Sequence, residues 1–263
     1  MNTITASIAA ALLVSAGAAT AASRFDGTWK YDIASQEVSK KPNVYLLQNG
    51  SYTCSTCAPV YTVKADGAFH KVGGNPYRDE MSIKVADART VVMTTRLGGK
   101  PMLVATSTVA ADGKTAANVF NDTSASNGVA VSGTATTRRV AAGPAGSHAV
   151  SGSWLDTTTG TVSDAGLLVT MASTGNTMKV TSPTGSAYTA KTDGTMAPVT
   201  GDRGWTSVSL KQSSPATMVE TDYRDGKVIG VSTYTMAADG KTIHAALNDK
   251  LHGMTSAATL IKQ

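Results

Sequence analysis

Short runs that alternate apolar and polar residues recur along most of this chain. Met81-Ser82-Ile83-Lys84-Val85 alternates strictly, as does Val208-Ser209-Leu210-Lys211. Thr90–Thr94, Leu103–Val109 and Lys227–Met236 extend the pattern. A period of two puts successive side chains on opposite faces of a β-strand. Between the runs stand Asn49-Gly50, Asp66-Gly67, Asp112-Gly113, Asp193-Gly194, Asp225-Gly226 and Asp239-Gly240. Such pairs tolerate the positive φ of tight hairpin turns. Turns every ~8–15 residues, with no helical pattern of any length, predict an antiparallel meander.

The pattern is used twice. Residues 61–122 align without a gap on 188–249, at an offset of 127, with 25 of 62 positions identical. Tyr61-Thr62-x-Lys64-x-Asp66-Gly67 returns as Tyr188-Thr189-x-Lys191-x-Asp193-Gly194. Each copy opens on a Gly-x-Trp, Gly27-Thr28-Trp29 and Gly152-Ser153-Trp154. The sequence thus predicts an all-β chain of two tandem antiparallel meander barrels, about 8–10 strands each, because closure removes exposed strand edges. The first is expected over 23–140 and the second over 150–263. Residues 141–149, with Gly143-Pro144-Ala145-Gly146-Ser147, read as a flexible linker.

The first 22 residues have a different character. Ile8, Leu12, Leu13 and Val14 form a short apolar stretch, followed by the small-residue site Ala19-Thr20-Ala21. This is the layout of a secretory signal peptide, so a secreted or periplasmic protein is expected. The n-region lacks Lys and Arg. No later segment is long and apolar enough to cross a bilayer as a helix.

Composition adds exclusions. Much of the hydrophobic fraction of 41% is Ala, and aromatics are only 5%. Thr, Val and Gly suit sheets and turns. The net charge of +5 is scattered, which argues against a nucleic-acid partner, whose binders concentrate charge on one face.

The Gly-x-Trp ahead of a meander resembles the calycin superfamily, the lipocalins and their relatives. A closer likeness is to small exported bacterial repeats with D-G-x-W, Y-T-x-K-x-D-G and D-G-K-T motifs. In lipocalins a last-strand Arg covers the Trp by a cation–π contact. The resemblance assigns that role to Arg138 or its neighbour Arg139, with Arg138 taken as the structural cation beside Trp29 and Trp154. The second copy departs from the pattern, offering only Lys262.

Candidate chemistry is sparse. Cys54-Ser55-Thr56-Cys57 is the only cysteine pair. A disulfide pinning a loop fits best, with a metal site, a redox pair or free thiols as alternatives. No motif of a nucleophile, a zinc protease or a phosphate loop occurs, and no cofactor or metal is implied. His70, Asp79 and Glu80 lie near the cysteines and would be the seed of any catalytic cluster. The loops Gly74–Arg78 and Gly201–Trp205 put aromatic and Arg side chains beside glycines. Tyr77, Arg78, Arg203 and Trp205 are therefore the candidate ligand contacts. The expected function is an exported binding module holding a small apolar or amphipathic ligand. The alternative is a structural or interaction component of the cell envelope with filled barrels and a protein partner; an enzyme is the third reading.

Overall fold

The computed structural model describes residues 23–263, so the expected leader, 1–22, lies outside the described residues. The chain opens with β1 (Gly27–Glu37). Ten strands then follow in succession: β2 (Asn43–Gln48), β3 (Ser51–Cys54), β4 (Tyr61–Lys64), β5 (His70–Asn75), β6 (Arg78–Val85), β7 (Thr90–Leu97), β8 (Lys100–Val109), β9 (Thr115–Asp122), β10 (Val131–Ala142) and β11 (Gly152–Val162). After a 3-10 turn at Asp164–Gly166 come β12 (Leu168–Thr174), β13 (Thr177–Thr181), β14 (Ala187–Lys191), β15 (Asp193–Thr200) and β16 (Ser207–Ser214). The last four are β17 (Thr217–Arg224), β18 (Lys227–Met236), β19 (Thr242–Asp249) and β20 (Met254–Lys262).

These strands form two antiparallel sheets of ten. One is a closed barrel and the other is nearly closed, left unpaired between β4 and β5. The alternating runs put most of their apolar residues inside, although Ser82 is buried as well, donating to the Gly67 carbonyl, and Val85 is exposed. Met81 and Ile83 are buried in one barrel, and Val208 and Leu210 in the other. The turn dipeptides divide into two kinds. Asn49 and Asp225 take positive φ, 52° and 51°, as do the glycines after them, which is the hairpin geometry that right-twisted strands favour. Asp66, Asp112, Asp193 and Asp239 instead accept the backbone N–H two residues on, at 2.8–2.9 Å.

The barrels do not follow the repeats. β1 pairs with β12 and β20, so the first copy's opening strand completes the barrel of the second copy. β11 pairs with β10 and β2, so the second copy's opening strand closes the barrel of the first. The expected units 23–140 and 150–263 are corrected accordingly. The first barrel is the contiguous stretch from β2 to β11, and the second is β1 with β12–β20. Of the expected linker 141–149, Ala141 and Ala142 end β10 and pair with β11, and the rest lies in the connection between these two strands of the first barrel. The chain crosses between barrels at residues 38–42 and 163–167. The physical reason is equivalence. Both opening strands carry the same Gly-x-Trp, so an exchange preserves the local contacts of each.

Each Trp anchors the barrel it is lent to. Trp29 is buried among Phe25, Met171, Val208 and Leu260 of the second barrel, and its indole donates to the Phe25 carbonyl at 2.8 Å. Trp154 is buried among Leu47, Val91 and Val109 of the first, donating to the Val150 carbonyl at 2.9 Å. The cation over Trp154 is Arg139, its guanidinium carbon 4.1 Å from the ring centroid. Arg139 also donates to the carbonyls of Gly113, Ser151 and Ala149. Arg138, expected in that role, is exposed, because strand alternation turns it outward. Lys262 takes the equivalent place over Trp29, at 5.3 Å.

Candidate functional site

The interiors of the two barrels differ. The first holds a half-open cavity of about 400 Å³. Part of its lining is apolar, with Trp154, Val150, Val109, Val91 and Ala116. The lining also carries Tyr45, Tyr52, Tyr61, Arg78, Asn118 and Asp156. Tyr45 stacks on Tyr52 and Tyr52 on Tyr61, with ring centroids 6.0 and 6.3 Å apart. Burial raises the hydroxyls of all three above the usual tyrosine range, so they stay protonated as hydrogen-bond donors.

Arg78 starts β6 and reaches across the unpaired edge of the sheet, its guanidinium 5.2 Å from the Tyr61 ring. Its Nε is buried and has no hydrogen-bond partner. An unmet charged donor inside a cavity is costly unless something accepts from it. Asp156, supplied by the exchanged strand β11, lines the same cavity, and burial raises its carboxyl above the ordinary aspartate range. Asn43 approaches it at 3.5 Å. Cys57 also lines the cavity, and the Cys54–Cys57 disulfide is formed, with Cα atoms 5.5 Å apart. It pins the loop that leads into β4, beside the open edge.

The second barrel holds a buried cluster that includes Met178, Leu210, Met218, Met236, Ile243 and Leu260. It also holds a half-open chamber of about 360 Å³, whose lining includes Tyr31, Tyr188, Trp205, Tyr234 and Glu220. Glu220 is only 8% exposed. The Tyr188 hydroxyl donates to it in a short contact, and the Tyr234 hydroxyl approaches at 3.4 Å. Asp222 points to the same side of β17, two residues on. Burial, together with the Glu220 charge, pushes its carboxyl up to about 8. The Trp205 indole N–H lies close enough to favour the Asp222 anion, yet neither it nor the Asp222 Oδ1 makes a hydrogen bond of normal geometry.

The four expected ligand contacts are therefore divided among three places. Arg78 faces the first cavity and Trp205 the second chamber. Tyr77 joins the barrels: its hydroxyl donates to Asp202 at 2.7 Å, and Asp202 accepts from the backbone of Gly204 and Trp205 as well. A Cβ at Gly204 would stand 2.4 Å from the Tyr77 hydroxyl, so glycine is needed for this contact. Arg203 lines a polar cleft of about 210 Å³ between the barrels. The residues considered as a catalytic seed are engaged separately. His70 bonds Asp66 at 2.8 Å, and Asp79 accepts from the Gly98 N–H at 3.0 Å. Among the described residues no three His, Cys, Asp or Glu gather as a metal site.

Glu220 and Asp222 are functional candidates that the sequence reading passed over. The signal was present as Met218-x-Glu220-x-Asp222, an alternation that puts both carboxylates on the core face. The aspartates elsewhere in turns obscured it. The sequence matches no family model and shows no significant similarity to a curated protein.

Proposed function

We propose that the protein is an exported, lipocalin-like binding module whose first barrel holds one small amphipathic ligand. The observation that carries this reading is the half-open cavity of about 400 Å³ with Arg78, whose buried Nε has no partner, in its lining. A volume of this size suits a small organic molecule. Its apolar part would lie on Trp154, Val109 and Val91. Its head group would accept from Arg78 and the tyrosine hydroxyls, which favours a carbonyl, carboxylate or similar acceptor. The Gly-x-Trp strands with covering cations support the lipocalin likeness, and the disulfide supports an oxidising compartment.

Native mass spectrometry of protein purified from its own host tests the reading. A small molecule should remain bound to the intact chain and be lost in Arg78→Ala. Reproducibly empty protein, or retention unchanged by Arg78→Ala, would reject it.

A further inference from the structure

We propose that the second barrel contains a separate site for a small organic cation, an aryl- or alkylammonium compound, held by Glu220 within a box of Tyr31, Tyr188, Trp205 and Tyr234. The chamber of about 360 Å³ is large enough for one such molecule. Four aromatic side chains line it, and Trp205 meets Tyr188 edge-on with centroids 5.5 Å apart. Aromatic faces attract cations, most strongly where water is excluded. Glu220 is the charge-bearing group of the lining. Among the described residues no Lys, Arg or His lines the chamber with it. A buried carboxylate without a cationic partner is expensive, so burial favours the protonated form of Glu220 in the absence of a cation, and a cation in the chamber would favour the ionised one. The Trp205 ring belongs to the lining, and Asp222, which its indole N–H favours as the anion, stands two residues from Glu220 on β17.

The repeat shows that this is a property of one copy rather than of the scaffold. At the repeat offset, Glu220 replaces Met93, Trp205 replaces Arg78 and Tyr234 replaces Ser107, while Tyr188 and Tyr61 are the same. Counting from the two Trp residues, Tyr31 replaces Asp156. The first cavity therefore carries a guanidinium beside the Asp156 carboxylate, whereas the second chamber carries the Glu220 carboxylate with no cation in its lining. Tyr31 comes from the exchanged strand β1, so the site is completed by the strand crossing.

Binding should depend on pH. The titratable groups facing one another here are Glu220 and Asp222 on β17, Tyr31 on β1, Tyr188 on β14 and Tyr234 on β18. Burial pushes both carboxyls up, Asp222 to about 8. A cation binds the ionised form of Glu220, so where that carboxyl holds a proton the cation's entry expels it, and affinity falls as pH is lowered, by up to about tenfold per pH unit.

Isothermal titration of the full chain with 2-phenylethylammonium, and with 2-phenylethanol as the neutral counterpart, tests the proposal. The cation should bind once per chain, at least about tenfold more tightly than the alcohol. Its affinity should rise from pH 6 to pH 9 with proton release at the lower pH. Glu220→Gln should remove most of the binding. Ala165→Lys, on the 3-10 turn at the chamber wall, should do the same by placing a cation there and leaves the carboxylate pair intact. Arg78→Ala should leave cation binding unchanged, which separates this site from the first cavity. Equal binding of alcohol and ammonium, full binding by Glu220→Gln and Ala165→Lys, or no saturable binding of the ammonium by folded protein would each overturn it.

Discussion

Replacing Trp29 by Ala would act on the barrel of the other repeat. Trp29 is fully buried, and its neighbours are Phe25, Met171, Val208 and Leu260. Truncating a buried Trp costs about 3–5 kcal/mol through lost burial and the cavity left behind. The Phe25 carbonyl also loses its 2.8 Å partner, and Lys262 loses the ring beneath it. A loss of about 4 kcal/mol corresponds to roughly a thousandfold faster opening of the affected strands, since 1.4 kcal/mol is a factor of ten. Hydrogen exchange followed by mass spectrometry reads this strand by strand. Protection should fall in β12 and β20, which flank β1. The strands β2 and β10, flanked instead by β11, should keep most of theirs. Trp154→Ala should give the reciprocal result. If Trp29→Ala exposed β2 and β10 and spared β12 and β20, the barrels would follow the repeats and the exchanged topology would be refuted.

Other outcomes follow from the same contacts. Arg139→Ala removes three hydrogen bonds to carbonyls and the cation over Trp154, so it should lower stability by about 2–4 kcal/mol in urea unfolding. Arg138→Ala, on the exposed face, should stay within about 0.5 kcal/mol. Asp222 retains its proton in the folded barrel up to about pH 8, whereas its ordinary value is 3.8. Folding therefore takes up a proton between those values, and this contribution to stability is greatest at the acid end and is lost as pH rises through 8, by at most ~1.4 kcal/mol per pH unit. Urea midpoints from pH 5 to pH 9 should fall more steeply in the wild type than in Asp222→Asn; parallel profiles would show that the carboxyl titrates normally.

Much of the fold was legible in the chain itself. Alternation of period two and paired turn residues are local properties, and they specified strands, hairpins and an antiparallel order without long-range information. The gapless repeat showed that one architecture is built twice, and Cys54-Ser55-Thr56-Cys57 lies within reach of a short bridge. Tertiary structure decided which strand closes which barrel. The opening strands of the two copies are near-equivalent, so pairing β1 with either partner satisfies the same local pattern, and only the path of the chain at 38–42 and 163–167 separates the alternatives. It also decided which cation covers a Trp, since Arg138 and Arg139 differ only in the face they present. The chemistry of the interiors was the least legible part. Arg78 stood out beside the glycines of its loop, but Glu220 is unremarkable in sequence, and the character of both comes from closure of a sheet around them, which removes water from an ionisable group.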